Sequence, residues 1–141
     1  MIRKATAVWQ GDLKAGSGSL SAPSGFLTDT PYTFASRFED KPGLTPEELI
    51  AAAHAGCFSM ALSGELGKAG FTPERIETTA EVTLEPVDGK PTVSRSHLRL
   101  RARVPGIDAA RFNEVAQGVK AGCPISRLLK AEITLEATLE S

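Results

Sequence analysis

The chain contains two cysteines, Cys57 and Cys123, in different surroundings. Cys57 lies in an apolar stretch, where a cysteine often packs as a small hydrophobic residue. Cys123 directly precedes Pro124, and because proline favours the first position of a helix, Cys123 is predicted to cap a short helix through about Lys130. Backbone N–H groups at a helix start stabilise a thiolate, so Cys123 has the more reactive setting of the two.

Taken together, the two cysteines allow three interpretations. They are two unrelated buried thiols, or a zinc site completed by His54 and His97, or a redox pair in which one thiolate attacks and the other resolves. The zinc set fits poorly, because zinc ligands usually come in close pairs on turns, whereas His54 and Cys57 lie within one predicted helix. The residues alone leave all three interpretations open.

A redox thiolate at Cys57 needs a nearby cation, because burial among apolar groups raises the pKa of a thiol. Arg37 is the candidate. The alternation of residue types over Thr33–Phe38 predicts a strand that places Arg37 on the face opposite the phenylalanines. An arginine in that position needs an anionic partner, and Glu47 is available for it.

A strong helix signal surrounds Cys57. Thr45-Pro46-Glu47-Glu48 predicts a helix start with Thr45 as N-cap and Glu48 closing a capping box. We expect this helix to run to about Lys68, with Gly70 taking a positive φ just beyond its end.

The Leu49–Leu62 part of this helix is apolar or small almost all round, so both of its faces must be covered. A single sheet covers one face, and we expect a second copy of the chain to cover the other. Glu47 and Cys57 are ten residues apart, which is about 15 Å along a straight helix, so they cannot share a compact site within it. If two copies of the helix pack antiparallel, Glu47 of one chain approaches Cys57 of the other, and the site lies at a dimer interface.

Other segments show strand or helix spacing. Strands are expected near Arg3–Gln10, within the Gly- and Ser-rich stretch that follows it, and at Ile76–Leu84, Val93–Val104 and Ile133–Leu139; a helix is expected from Asp108 to near Gly122. Asp88-Gly89 predicts a hairpin turn between the two long strands. Glutamates on one of these strands face arginines on the other, which favours cross-strand ion pairs over nucleic-acid binding.

The composition is that of an ordinary globular protein. The 141 residues, 41% hydrophobic and 23% charged, predict one domain over residues 1–141. A formal charge of −1 gives no field to attract nucleic acid or an anionic membrane. The most apolar run is shorter than the about 20 residues of a membrane span. No secretory signal is recognisable, so a cytoplasmic location is expected. The absence of a Gly-rich phosphate fingerprint leaves no cofactor predicted.

Three segments together resemble the OsmC/Ohr family, and within it the osmotically inducible OsmC branch more than the organic hydroperoxide resistance branch. They are Ser36-Arg37-Phe38, Leu44–Leu62 and Gly122–Ser126. The likeness covers essentially the whole chain. It implies an α+β fold, with antiparallel sheets packed on a long central helix that carries the nucleophilic cysteine, in an intertwined homodimer with two interface sites.

The resemblance also implies a role for each candidate residue. Cys57 matches the family's peroxidatic cysteine, Cys123 its resolving cysteine, Arg37 its arginine and Glu47 the glutamate that holds that arginine. His54 matches a position common in this branch, and we assign it a packing role.

The implied activity is a cysteine-based hydroperoxide reductase. Cys57 would form a sulfenic acid, Cys123 would convert it to an intrachain disulfide, and a dithiol, of lipoyl type by the resemblance, would reopen the bridge. Apolar neighbours such as Phe34, Phe58 and Met60 favour organic hydroperoxides. The alternatives are a non-catalytic redox sensor or small-ligand-binding dimer, and a zinc-stabilised structural protein.

Overall fold

The computed structural model describes residues 1–141, which form two compact units, residues 1–48 and 49–141. The first unit contains a small antiparallel sheet with strand order β1-β2-β3, followed by a short helix. Its elements are β1 (Thr6–Gln10), β2 (Ser17–Ser21), β3 (Thr30–Tyr32) and α1 (Phe34–Phe38). A long helix, α2 (Pro46–Lys68), begins at the end of this unit and continues into the second.

The strand predicted over Thr33–Phe38 is wrong, because this segment forms α1. Thr33 is the N-cap: its Oγ1 accepts from the backbone N of Ser36 at 3.0 Å, and Ser36 Oγ accepts from the backbone N of Thr33 at 3.2 Å. This capping box outweighs the alternating pattern. The rings of Phe34 and Phe38 still lie on one side and pack against each other in a tilted arrangement, with centroids 5.1 Å apart, because a spacing of four residues returns to the same side of a helix as it does of a strand.

Helix α2 begins and ends as predicted. The backbone N–H of Glu48 donates to Thr45 Oγ1 at 3.1 Å, which satisfies one of the free N–H groups of the first turn. Gly70, two residues beyond Lys68, has a φ of 92°, a conformation that favours glycine and ends the helix cleanly.

The second unit contains a three-stranded sheet of order β4-β5-β6 and two further helices. These elements are β4 (Arg75–Val87), β5 (Lys90–Arg103), α3 (Ala109–Gly122), α4 (Pro124–Leu128) and β6 (Glu132–Glu140). The predicted Asp88-Gly89 turn joins β4 to β5 as an antiparallel hairpin. In contrast to the antiparallel expectation, β6 pairs parallel with β5, because α3 and α4 fill the connection and return the chain to the strand's starting end.

The core of the second unit lies between α2, the inner sheet face and α3. Its fully buried side chains include Phe58, Leu62 and Leu66 of α2, Leu98 and Leu100 of β5, and Phe112 and Ala116 of α3. On the outer sheet face, Arg99 of β5 pairs with Glu81 of β4 and Glu136 of β6. The predicted cross-strand ion pairs are therefore present.

Helix α2 is long and apolar enough to cross a membrane by length and composition alone, and 22% of its apolar window is buried within the chain. One face joins the core just described. The opposite face is exposed, although it is built of small and apolar residues: Ala52, Ala53, Gly56, Met60, Ser63, Gly64 and Gly67. We call this set the small-residue face of α2.

Candidate active site

The two cysteine thiols lie together, although they are far apart in the sequence. Both are free, Cys57 being half-buried in the middle of α2 and Cys123 buried at the start of α4. The Cys123 side chain lies close enough to the Cys57 thiol to influence its pKa. Burial raises the pKa of the Cys57 thiol, and the adjacent Cys123 raises it further, against a hydrogen bond from the Ile125 backbone that lowers it. No cation is among the groups that set this pKa, so within one chain Cys57 is not yet an activated thiolate.

Cys123 is the N-cap of α4, as the Cys-Pro pattern predicted, with Pro124 in the first turn. The backbone N–H of Ser126 donates to Cys123 Sγ at 3.3 Å, and Ser126 Oγ lies 3.1 Å from the same sulfur. Only 1% of Cys123 is exposed. Two polar groups of Ser126 therefore point at a sulfur that solvent does not reach.

Arg37 and Glu47 form a tight ion pair. Glu47 Oε1 accepts from Arg37 Nη2 at 2.8 Å and from Nε at 3.0 Å. The Glu47 side chain is 11% exposed and that of Arg37 36% exposed, so the carboxylate is held inside while the guanidinium keeps access to solvent. The guanidinium carbon also lies 5.2 Å from the centre of the Phe38 ring, a cation–π contact that further fixes its position.

A shallow apolar groove adjoins Arg37. It encloses about 240 Å³ and is lined by Trp9, Leu13, Tyr32, Thr33, Phe34, Arg37 and Phe38. Of the apolar residues predicted to favour an organic substrate, Phe34 lines this groove and Met60 is exposed on α2. Phe58 does not fit that role, because it is fully buried in the core.

His54 is more than a packing residue. It is fully buried, with Nδ1 2.7 Å from Ser96 Oγ of β5 and Nε2 2.7 Å from Ser126 Oγ of α4. Burial lowers the pKa of the imidazole, which favours its neutral form. Ser126 thus links His54 to Cys123, and sequence reasoning missed both serines. A histidine inside an apolar helix does signal a need for buried partners, but nothing in the sequence identifies residues so distant.

The zinc interpretation finds no ligand set. No group of three or more His, Cys, Asp or Glu side chains is placed to hold a metal ion. Both ring nitrogens of His54 are engaged by serines, and His97 lies on the other face of β5, bonded to Thr134 Oγ1. The predicted site residues are instead grouped as two pairs, Arg37 with Glu47 and Cys57 with Cys123.

A pair of free thiols in contact can pass reversibly between a dithiol and a disulfide when an oxidant converts one of them to a sulfenic acid. An arginine held by a buried carboxylate can stabilise an anion without being drawn away from its place. The arrangement therefore suits thiol redox chemistry and favours a redox pair over two unrelated buried thiols.

Known proteins agree with this interpretation. The model of the OsmC-like protein family matches residues 38–138. A curated relative from Escherichia coli (strain K12), Peroxiredoxin OsmC, is 53% identical over 139 residues, covering 99% of this chain and 97% of the relative. An organic hydroperoxide resistance protein from Xanthomonas axonopodis pv. citri is more distant, at 28% identity over 69% of this chain and 67% of its own length.

Solved structures of OsmC-like proteins have a similar fold. An OsmC-like protein from Mycoplasma pneumoniae superposes with a TM-score of 0.75 at 16% identity, covering 100% of this chain and 99% of that one. Sequence and fold thus agree over nearly the full length, and the OsmC relative is much more similar than the organic hydroperoxide resistance protein. The chain therefore belongs to the OsmC branch of the OsmC/Ohr family of thiol-dependent peroxidases.

Proposed function

We propose that the protein reduces organic hydroperoxides through a Cys57 sulfenic acid and an intrachain Cys57–Cys123 disulfide, which a dithiol then reopens. One observation carries this mechanism: the fold brings two free thiols close enough for Cys123 to influence the ionisation of Cys57 although 66 positions separate them in the chain. A disulfide requires its two cysteines to lie close together in the fold, and this proximity supports the proposed bridge.

Each step of the proposed cycle balances. The Cys57 thiolate attacks the distal oxygen of the peroxide, the O–O bond breaks, and an alkoxide leaves and takes a proton to become the alcohol. Sulfur is oxidised to the sulfenic acid and the peroxide is reduced. The Cys123 sulfur then attacks the Cys57 sulfur, forming the S–S bond and releasing water. A dithiol donor reduces this bond through a mixed disulfide and leaves as its own cyclic disulfide.

Arg37 is proposed to supply the cation that the Cys57 thiolate needs, and Glu47 is proposed to hold it. Burial raises the pKa of Cys57, so a guanidinium near its sulfur would favour the thiolate and stabilise the charge that develops on the leaving oxygen. Glu47 would keep this guanidinium in place, since it already accepts two hydrogen bonds from it.

We propose that the active form is a homodimer joined along the small-residue face of α2. Six alanine, glycine or serine residues on this face allow close helix approach, and Met60, 80% exposed, adds apolar area that solvent now meets. In this dimer the Arg37–Glu47 pair of one copy serves the Cys57 of the other, as the antiparallel packing hypothesis requires.

The groove beside Arg37 supports the preference for organic hydroperoxides. Its aromatic lining would gain from burying an alkyl or aryl group, whereas hydrogen peroxide has no such group to bury.

The reductant proposed from the family resemblance is a lipoyl-type dithiol. The proposed location is the cytoplasm, where thiols are kept reduced. The near-complete match to one relative supports a single OsmC-like domain over residues 1–141.

The test is peptide mass mapping of the fully reduced protein after one equivalent of an aryl hydroperoxide, and in parallel after hydrogen peroxide. We expect a specific Cys57–Cys123 link within one chain, formed faster with the organic substrate. Cys57→Ser should consume no peroxide. Cys123→Ser should consume one equivalent and stop at the sulfenic acid, which a dimedone-type reagent traps.

Two unmodified thiols after exposure would contradict the proposed chemistry. A disulfide that forms once, with no sustained turnover in excess dihydrolipoamide, would identify the alternative function of a redox sensor. Equal or faster reaction with hydrogen peroxide would contradict the organic preference while leaving the thiol cycle intact.

A further inference from the structure

A continuous chain of buried polar groups ends at the Cys123 sulfur. It runs from Ser96 Oγ to His54 Nδ1 (2.7 Å), from His54 Nε2 to Ser126 Oγ (2.7 Å), and from Ser126 Oγ to Cys123 Sγ (3.1 Å). Ser96 and His54 have no exposed surface, and Ser126 is 8% exposed. Burying an imidazole and two hydroxyls in an apolar core is costly unless all are hydrogen-bonded, and here each group finds a partner inside the chain.

The groups that contact the His54 ring nitrogens are uncharged hydroxyls. The thiols of Cys57, one turn along α2, and Cys123, at the start of α4, are the titratable groups nearest to His54 on the helix side of the sheet. The charged residues of α2 and α3 on that side, Glu65, Lys68, Arg111 and Glu114, line a pocket beside Cys123 and make no hydrogen bond to His54. From β5 it meets the Ser96 hydroxyl, while the neighbouring Arg95 and His97 lie on the opposite face of that strand. Burial alone lowers the pKa of His54, with no contribution from a charged neighbour. The imidazole is therefore a free base at neutral pH, able to accept a proton.

We propose that His54 is a positioning residue for the resolving step, and that it accepts the Cys123 proton through the Ser126 hydroxyl. The inference rests on the proposed function, since it concerns the step in which Cys123 attacks oxidised Cys57. This proton transfer requires one direction for the three hydrogen bonds. The Cys123 S–H donates to Ser126 Oγ, the Ser126 O–H donates to His54 Nε2, and the His54 Nδ1–H donates to Ser96 Oγ.

The step balances in atoms and charge. The Cys123 proton moves to Ser126 as the Ser126 proton moves to His54, which leaves a thiolate and an imidazolium. The thiolate, which also accepts from the Ser126 backbone N–H, attacks the Cys57 sulfur, and the S–O bond of the sulfenic acid breaks. The hydroxide that leaves is balanced by the proton on His54, so the net products are one disulfide and one water.

This arrangement answers a difficulty in the cycle. Cys123 is buried, so bulk hydroxide or buffer cannot reach its thiol to remove the proton. A relay built into the core provides the base from the inside, and general-base assistance of this kind typically accelerates a step by about 100-fold or more.

The experiment is a single-turnover measurement of disulfide formation in Ser126→Ala, at saturating aryl hydroperoxide, by rapid quench and mass mapping. We expect peroxide consumption at Cys57 to stay near the wild-type rate, and disulfide formation to slow by about 100-fold. Ser126→Thr, which keeps a hydroxyl, should recover much of the rate. Ser59→Ala is the matched control, because it removes a hydrogen bond from α2 to the same sheet, to Thr78 Oγ1 at 2.8 Å, outside the relay.

The pH profile separates proton transfer from mere support of the fold. With the relay intact, the rate of disulfide formation should be flat from about pH 7 to 8, because burial lowers the pKa of His54 and leaves the imidazole neutral there. In Ser126→Ala or His54→Asn the rate should rise steeply with pH, because removal of the proton from the resolving thiol then depends on hydroxide in place of the relay. If these variants do not fold by circular dichroism, Ser96→Ala removes the far end of the relay and is read in the same way.

The outcomes distinguish the proposed function from the proton relay. A wild-type protein that forms no sulfenic acid or disulfide overturns the proposed function and this inference with it. A wild-type protein that forms the disulfide, with Ser126→Ala equally fast and equally flat in pH, overturns the relay alone. Slow resolution in Ser126→Ala with a steep pH profile and recovery in Ser126→Thr supports it.

Discussion

Arg37 and Glu47 show how a single carboxylate fixes a long, flexible side chain. The arginine side chain has many rotamers in solution, and two hydrogen bonds that it donates to the Glu47 carboxylate, whose side chain is 11% exposed, leave it few. Ordering of this kind before substrate arrives removes an entropic cost from the reaction. Because the guanidinium is partly open to solvent, its Coulomb attraction to Glu47 is screened.

We therefore predict that Glu47→Gln lowers kcat/KM for an aryl hydroperoxide by about tenfold, equivalent to about 1.4 kcal/mol. The amide keeps the shape of the side chain but loses the charge that holds Arg37. Steady-state kinetics with dihydrolipoamide as donor measure the loss.

Glu48→Gln is the matched control for this variant. It removes the same charge from the same helix turn, but the Glu48 side chain is exposed and forms no ion pair with Arg37. Equal losses in the two variants would show that the helix start, and not the Arg37 contact, matters.

His54 also makes a prediction about acid stability. Burial lowers its pKa in the folded chain below the value of about 6.5 expected when unfolded. As pH falls below about 6.5, the unfolded chain binds a proton that the folded chain does not, so the free energy of unfolding falls by up to about 1.4 kcal/mol per pH unit until the folded pKa is reached. Urea unfolding at several pH values between about 5 and 7.5 measures this slope.

The chain has two histidines, so the assignment can be checked directly. His54→Asn should be less stable at neutral pH but should lose much of the pH slope, whereas His97→Gln should retain it. An undiminished slope in His54→Asn would mean that other groups govern acid stability.

Elements whose signals are local could be predicted from the sequence. The start of α2 follows from Thr45-Pro46, the β4–β5 hairpin from Asp88-Gly89, and the α4 cap from Cys123-Pro124, because in each case adjacent residues fix the backbone. At α1 two local signals competed. The alternation over Thr33–Phe38 suits a strand, but the reciprocal Thr33 and Ser36 hydrogen bonds decide for a helix.

What the sequence could not show is long-range pairing. The parallel register of β6 on β5 depends on how α3 and α4 turn the chain, and no residue of β6 encodes its direction. The same holds for the site. Both cysteines and the Arg37–Glu47 pair could be chosen by residue type, with the family resemblance to guide them, whereas Ser96 and Ser126 became relevant only when the fold placed them at the two nitrogens of His54.

For the whole molecule, the small-residue face of α2 predicts assembly. Met60→Glu should leave the folded chain intact, because the side chain is 80% exposed, but it would place an unpaired charge in the proposed interface. We expect the dimer dissociation constant to rise by about 100-fold or more, with peroxidase activity falling as dimer is lost. Analytical ultracentrifugation over a range of protein concentrations measures the constant.

Val87→Glu is the control, since it adds the same charge at another exposed apolar residue, at the end of β4. Equal weakening by both variants would point to a general charge effect. A wild-type protein that is monomeric and fully active at high dilution would contradict the dimer proposal altogether.

The two cysteines of the proposed disulfide differ in their access to solvent. An incoming thiolate must approach along the line of the S–S bond, behind the sulfur that it strikes. Cys57 is partly exposed while Cys123 is buried, so in the proposed cycle the donor would attack Cys57, and Cys123 would leave toward the backbone N–H of Ser126. Regeneration in the proposed cycle would thus be regioselective: the mixed disulfide with the donor would form on Cys57, and a slender dithiol would reach it more easily than the broad surface of a protein.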